Sequence, residues 1–188
     1  MATPRAFVDP DPARLDALLD AHPFVTLITV RDGAPDASHV PVLARRENGQ
    51  LVLEGHWGRA NPQARDGDDV LILVHGPHAY LSASWYPDKA ERARVPTWNY
   101  VAVHAYGPAE FFEDADRLLD VVTRLTALHE ASRAASGAEP WAVADAPEDF
   151  IRAQLKGIVG LRLPIARIDG KRKMSQNRSA GDRAGVAA

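Results

Sequence analysis

The chain has 188 residues, of which 46% are hydrophobic and 25% are charged, and its formal net charge is −3. These values are ordinary for a globular protein, and the length suits one domain with a substantial core. The chain contains no cysteine, which excludes disulfides, thiolate metal ligands and cysteine nucleophiles. No signal-type pattern opens the chain and no apolar run approaches the ~18 residues of a membrane span, so we expect a cytoplasmic protein without membrane contact.

Positive charge is concentrated at the C-terminal end. Residues 151–188 hold nine basic and two acidic side chains, a net charge of +7, which leaves −10 for residues 1–150. Such a basic segment could contact DNA, although the sequence has no helix-turn-helix or zinc-finger pattern that would read bases. The alternative is that the basic segment pairs with the acidic remainder of the same chain.

The first half of the chain is predicted to be mostly strands. Asp11-Pro12 is a favourable helix start, because Asp caps helices and Pro fits their first turn, and this helix should end near His22. Alternating apolar residues and glycine turns then predict strands at 24–31, 36–46 and 50–57. We further expect a short helix from about 59–61, a buried strand at 69–75, a sharp break at 75–78 and two more strands up to residue 106.

The second half begins with helices and returns to strands. Leucines at helical spacing predict a helix at 114–133, and a second short helix should reach about Lys156, so that a helical insertion spans about 114–156. A strand at 158–168 should turn at Asp169-Gly170 into a strand at 171–177, before a last helical turn at 179–182. Hairpin-linked strands with peripheral helices indicate a mainly β (α+β) fold, a closed or nearly closed antiparallel barrel forming one domain over 1–188.

The segment 75–106 contains three of the seven histidines, two of the four tryptophans and all four tyrosines. A strand period of two places alternate residues of its last part on one face: Trp98, Tyr100, Ala102, His104 and Tyr106. Ring surfaces with polar tips suit a flat, partly polar ligand. The alternative is an aromatic barrel strand whose polar tips reach water or the backbone.

Two further motifs carry polar groups suited to ligand binding. In HWGRANP, Arg59 and Asn61 lie where a strand passes into a predicted helix start, which suits an anion such as phosphate. KMSQNRS, residues 173–179, packs amide, hydroxyl and cationic donors together. The alternatives are that Arg59 is a surface charge and Asn61 only a helix N-cap, and that KMSQNRS is an exposed C-terminal loop. His75 and His78 have no carboxylate near them in sequence, so we expect no metal site.

HWGRANP, HGPHAYLSASWY, VPTWNYVAVHAYG and the C-terminal GIVGLRLPIARIDGKRKMSQNRSAGDRAGV resemble, in this order and over nearly the whole chain, the PaiB-type FMN-binding negative transcriptional regulators. The resemblance implies an FMN-binding split β-barrel, a homodimer with flavin near the subunit interface, and a regulatory role in which the basic segment would contact DNA. It places Arg59 and Asn61 near the flavin phosphate. The remaining cofactor-binding residues that it implies are His78, Tyr80, Trp98 and Asn99 beside the ring and Gln176, Asn177 and Arg178 from the partner subunit.

Two enzymatic alternatives use the same fold. A flavin-dependent oxidoreductase needs the protein only to bind and orient the flavin, which carries the redox chemistry. The resembled family also includes piperazate synthases, which form an N–N bond with haem b, and His56 would then be the axial ligand. Only His75 follows a long apolar run in the sequence, so we expect FMN and not haem as the cofactor. No catalytic residue is predicted.

Overall fold

The computed structural model of the protein describes residues 1–64, 69–87 and 93–187. Eight strands form one antiparallel sheet in the order β6-β7-β3-β2-β1-β4-β5-β8. The strands are β1 (Phe24–Arg31), β2 (Ala34–Glu47), β3 (Gln50–Gly58), β4 (Asp69–Leu81), β5 (Thr97–Pro108), β6 (Glu110–Phe112), β7 (Ile158–Pro164) and β8 (Arg167–Lys173).

The sheet curls into a half-barrel around an apolar interior. Its two ends approach each other where the Ala166 N–H donates to the Tyr106 carbonyl and the Ile165 N–H donates to the Leu51 carbonyl, both at 2.8 Å. Gly107 makes this approach possible, because a Cβ there would lie 2.1 Å from the Pro164 carbonyl oxygen. The core contains inward-facing aliphatic side chains from most of the strands. The predicted mainly β architecture with peripheral helices is confirmed.

Four helices lie outside the sheet: α1 (Pro12–Ala21), α2 (Ala115–Ala135), α3 (Glu148–Leu155) and α4 (Ala180–Ala187). The carboxylates of Asp11 and Asp114 cap α1 and α2 by accepting backbone N–H bonds at 3.0 and 2.8 Å. Helices α2 and α3 enter the chain between β6 and β7, as the predicted insertion, and α2 packs on the outer face of β3. Among the described residues, no helix is long and apolar enough to span a membrane.

The structure differs from the sequence prediction at two points in the middle of the chain. No helix is present in the described part of the segment after β3: residues 59–64 form turns, in which the Asn61 side chain accepts the Gln63 N–H at 2.9 Å. The expected break at 75–78 is a bulge within the single strand β4. It contains Gly76 because a Cβ there would meet Leu18 of α1 at 2.8 Å.

The C-terminal hairpin also turns earlier than predicted. The turn lies at 165–166, and Gly170 pairs with Val103 in the middle of β8. Gly170 is required for packing and not for turning, because a Cβ there would approach Asp9 and Leu15 to 2.5 Å. Strand β8 ends at Lys173, before the predicted limit of 177. The predicted last helical turn is confirmed as the start of α4, with Ser179 accepting the N–H three residues on.

Candidate functional site

The outer face of the β4–β5–β8 end of the sheet carries the aromatic side chains that the strand period predicts. Directly paired residues of antiparallel strands share a face. Tyr80 therefore lies beside Trp98, and His78 beside Tyr100. The ring centroids of Tyr80 and Trp98 are 5.9 Å apart in an edge-to-face contact, and those of His78 and Trp98 are 6.2 Å apart. Three of the predicted ring-lining residues are thus brought together.

A groove of about 540 Å³, called the aromatic groove below, runs along this face. Its floor is Ala102, a methyl group between the larger side chains of Tyr100 and His104 on the same strand. His75 of β4 and Lys171 of β8 both pair with Ala102 and form the two sides. A small residue flanked by large ones thus leaves a flat-floored space of the size that small ligands occupy.

The aromatic groove also contains a cationic side chain, Lys171. The Lys171 ammonium lies 5.2 Å from the centre of the Tyr100 ring and donates to the Ala2 carbonyl at 3.2 Å. None of the described residues that line the groove carries a carboxylate. Asp169, just outside it, pairs with the Met1 amino group and with Arg167, both at 2.9 Å. Lys171 and Ala102 were not predicted as site residues. The sequence feature that could have identified them is a small residue on β5 directly paired with a lysine on β8.

His104 also lines the aromatic groove, next to Ala102 on the same face of β5. Burial lowers the pKa of its imidazole, and the positive charge of the Met1 amino group lowers it further, while Asp169 opposes the shift. The Tyr106 hydroxyl lies 3.4 Å from its Nδ1 atom. His104 is therefore a neutral imidazole near pH 7, able to donate from one ring nitrogen and accept at the other.

The KMSQNRS segment is fastened to the start of β5. Ser175 donates to Asn99 Oδ1 at 3.1 Å, both side chains being buried on the inner face opposite Trp98. The Asn99 side chain therefore points away from the face that carries Trp98, and this direction does not favour its predicted position beside the flavin ring. Lys173 donates to the Thr97 hydroxyl and to the Trp98 carbonyl, at 2.5 and 2.6 Å. These contacts hold the segment against its own subunit.

The three predicted site residues of this segment have different surroundings. Gln176 makes hydrogen bonds to the backbone of Met174 and Arg172, and Asn177 is exposed. The Arg178 guanidinium lies 5.4 Å from the ring centre of Tyr86, a buried tyrosine whose hydroxyl has no hydrogen-bond partner among the described residues. Within the described part of the chain, Arg178 has no carboxylate partner.

Arg59 and Asn61 lie elsewhere in the subunit. Arg59 forms an ion pair with Glu113 at 2.5 Å, which lowers the pKa of that carboxyl, and donates to the Lys156 carbonyl at 2.8 Å. Asn61 donates to the Ser38 hydroxyl at 2.8 Å. The guanidinium is therefore already engaged in holding the helical insertion to the end of β3.

The turn that contains Arg59 and Asn61 is also far from the part of the aromatic groove that contains His78 and Trp98. Its Gln63 contacts Thr29, next to Ile28, which pairs with Leu71 at the near end of β4. His78 lies seven residues further along β4, roughly 20 Å away at strand spacing. One subunit therefore does not bring the predicted phosphate residues and ring residues together.

A second space, called the insertion cleft below, lies between β3, α2 and α3 and has a volume of about 600 Å³. Apolar side chains form most of its walls: Pro41, Val122, Leu125, Trp141, Val143, Ile151, Leu155 and Ile158. His56 of β3 faces it, and His129 and Glu130 line it from α2. No long apolar run lies beside His56 in the sequence, but in the folded chain α2 and α3 supply an apolar wall beside it.

The His56 imidazole is in the uncharged form that binds metal ions. Burial lowers the pKa of its imidazole, so the side chain is neutral near pH 7. Its Nδ1 atom is buried and has no hydrogen-bond partner among the residues that the structure describes. A neutral, unpartnered imidazole beside an apolar cleft can bind a haem iron.

Comparison with known proteins identifies relatives. Residues 1–167 match the family described as "Putative FMN-binding domain". The Protease synthase and sporulation protein PAI 2 of Bacillus subtilis is 36% identical over 162 residues, 85% of this chain and 74% of that protein. A protein of Aspergillus fumigatus is 37% identical over 192 aligned positions, 80% of this chain and 74% of the relative.

Solved structures share the fold. The FAD and haem binding protein of Mycobacterium smegmatis superposes with a TM-score of 0.65 at 21% identity, covering 96% of this chain and 80% of that one. The flavocytochrome Anf3 of Azotobacter vinelandii gives 0.62 at 16% identity, covering 88% and 69%. The family match over most of the sequence and the identity to PAI 2 confirm the predicted resemblance: the chain belongs to the FMN-binding domain family, with PAI 2 among its relatives.

Proposed function

We propose that this protein binds FMN in the aromatic groove. The observation that carries the proposal is the flat floor at Ala102 between Tyr100 and His104, with Lys171 at one side and no carboxylate among the described lining residues. Such a site offers ring surface and hydrogen-bonding groups together, as a flavin requires. Membership of the FMN-binding domain family supports the same cofactor. When bound, the isoalloxazine ring supplies redox chemistry.

The chain's own residues divide the work of binding. Trp98 and the adjoining Tyr80, about half exposed, offer aromatic surface at the start of β5. Lys171 and the neutral His104 offer a charge and hydrogen bonds around Ala102. Arg178 is more available than Arg59 to bind the phosphate, because the Arg59 guanidinium would first have to break its ion pair with Glu113.

A homodimer is part of the proposal. Four large apolar side chains at the ends of β4 and β5 and in the segments beside them are 46–68% exposed: Tyr80, Trp85, Val95 and Trp98. A second copy that covers this face would bury them and enclose the groove. Light scattering tests the dimer, and a stable monomer across micromolar concentrations contradicts it.

The regulatory role stays a prediction. The name of PAI 2, which refers to protease synthesis and sporulation, fits such a role. Among the described residues, however, four of the nine basic side chains of the C-terminal segment pair with acids of the same chain: Arg152, Arg162, Arg167 and Arg172. This pairing supports the alternative of internal neutralisation. A DNA-binding titration at 50 and 200 mM salt tests the role, because phosphate contacts weaken steeply with salt.

A haem protein is the second candidate. It rests on the neutral, partly buried imidazole of His56, which lines the insertion cleft. His56 would be the axial ligand, and the aliphatic walls from α2 and α3 would exclude water from the macrocycle.

One absorption experiment decides between the two cofactors. The spectrum is recorded on the protein as purified and again after addition of excess FMN or haemin. Stoichiometric uptake of FMN with a perturbed visible band supports the groove proposal. A stoichiometric Soret band without flavin uptake overturns it in favour of the haem candidate.

A further inference from the structure

The chemistry of the aromatic groove changes along β5. Trp98, with the Tyr80 ring in edge contact behind it, offers aromatic surface at the start of the strand, and Lys171 and His104 offer a charge and hydrogen-bonding groups around Ala102. An isoalloxazine ring has a matching asymmetry. Its benzenoid edge carries two methyl groups, while its pyrimidine edge carries two carbonyl oxygens and N1. Apolar contact at one end and hydrogen bonding at the other therefore favour one orientation, with the pyrimidine edge toward Lys171.

Among the described residues that line the groove, Lys171 is the cation without a carboxylate partner, because the Met1 amino group pairs with Asp169 at 2.9 Å. The neighbouring Lys173 is turned toward Thr97 and the Trp98 carbonyl. Lys171 contacts only the Ala2 carbonyl and the Tyr100 ring among the described residues. The lowered pKa of His104 leaves that imidazole uncharged near pH 7, so it does not replace the lysine.

A flavin that accepts an electron pair, or a nucleophile at N5, gains negative charge on its N1–C2=O edge. A nearby ammonium stabilises that charge more than it stabilises the neutral oxidised ring. We propose that Lys171 is the positioning and charge-stabilising residue for the pyrimidine edge of the bound flavin, which makes the site an electron-accepting one. This inference rests on the proposed binding of FMN in the aromatic groove and assigns that site a redox role.

Sulfite addition measures the effect without any enzymatic substrate. The lone pair on sulfur forms a bond to N5, and the negative charge appears on N1–C2=O, so no further oxidant or reductant is needed. The adduct bleaches the visible flavin band, which gives a dissociation constant for sulfite. The proteins compared are the parent, Lys171→Met, Lys171→Arg and Lys156→Met, in which Lys156 is an exposed lysine of the helical insertion.

The expected result is a sulfite dissociation constant raised at least about tenfold in Lys171→Met, with recovery toward the parent value in Lys171→Arg and no change in Lys156→Met. FMN affinity, measured separately, should change much less, because the oxidised ring is neutral. Equal sulfite affinity in the parent and Lys171→Met overturns the inference and leaves FMN binding standing, as does a parent that binds FMN but forms no adduct. Failure of the parent to bind FMN overturns both. Thermal unfolding of each variant confirms that it is folded.

Discussion

The aromatic groove and the insertion cleft have similar volumes, about 540 and 600 Å³, but opposite construction. The groove lies on a strand face, and rings, imidazoles and a lysine surround its small floor residue. The cleft lies between a strand and two helices, with mostly apolar walls and the neutral imidazole of His56. One suits a flat polar heterocycle and the other an apolar macrocycle bound through its metal. The same fold therefore offers two cofactor chemistries at separate places, and variants can separate them.

The largest expected effect is on the cleft. If the parent takes up haem stoichiometrically, as the second candidate requires, His56→Ala should abolish this uptake, because the variant loses the imidazole that would bind the iron. Added imidazole should then restore haem uptake by supplying the missing nitrogen ligand. FMN affinity should stay at the parent value, since His56 does not line the aromatic groove. Absorption titrations with haemin and FMN measure both.

His22→Ala is the control for this variant, because His22 lies at the end of α1 and does not line the cleft. Unchanged haem uptake in His56→Ala would remove His56 from the haem candidate. A parallel loss of FMN binding would instead show that the two spaces are not independent.

The next effect is on the groove. Ala102→Leu replaces the floor methyl group by a side chain that occupies the space of the ring, and it should weaken FMN binding by about 1–3 kcal/mol, roughly 5- to 150-fold. Haem uptake should not change. Fluorescence titration of FMN measures the affinity. Ala134→Leu, at an exposed position of α2, is the control. Parent-like FMN affinity in Ala102→Leu would place the flavin outside the aromatic groove.

The two regions also differ in how far the sequence predicted them. The alternation along β5 is a local property, so the shared face of Trp98, Tyr100 and His104 could be read directly. The cleft beside His56 could not, because its walls come from helices about 70 to 100 residues later in the chain. Similarly, no local pattern shows that Arg59 meets Glu113.

Glycines were the other source of error, because the same residue serves turning and close packing. Gly33 and Gly49 lie at positive φ in the predicted hairpin turns. Gly170, read as a turn, instead lets β8 pack against Asp9 and Leu15. Which role applies depends on neighbours that only the folded chain defines.

A smaller effect concerns the attachment of the cleft to the barrel. Glu54 of β3, 1% exposed, accepts hydrogen bonds from Arg45 and from Arg124 of α2 at 2.9 and 2.8 Å. Glu54→Gln should lower the free energy of unfolding by about 1–3 kcal/mol, because it removes the buried carboxylate that the two guanidiniums share, while Arg45 keeps Glu47 and Arg124 keeps Asp120. Both guanidiniums are partly exposed, which keeps the cost below that of a fully buried pair. Urea unfolding measures the change.

The control for this variant is Glu148→Gln, which removes a pair with Arg152 whose carboxylate is 79% exposed, and it should have almost no effect. If Glu54→Gln were as stable as the parent, the ion pair would not be what holds α2 on β3. If the variant loses haem uptake but keeps FMN binding, the attachment of α2 matters to the cleft alone.

The smallest expected effect is on pH dependence, and it distinguishes the two histidines. The pKa of His56 in the cleft is lowered by burial, and that of His104 in the groove by burial and by the Met1 amino group, from the ordinary value of 6.5. Between each lowered pKa and 6.5 the unfolded chain binds more protons, so stability is fully present above pH 6.5 and is lost as pH falls through the folded pKa. Replacing either histidine by Gln should reduce this loss.

Salt separates the two histidines. Because 1 M salt screens the charge at Met1 but does not change burial, it should reduce the contribution of His104 to the pH dependence of stability and leave that of His56 unchanged. Urea unfolding between pH 5 and 8 at low and high salt measures the two contributions. An equal salt response in the two variants would contradict the assignment of the Met1 charge to His104 alone.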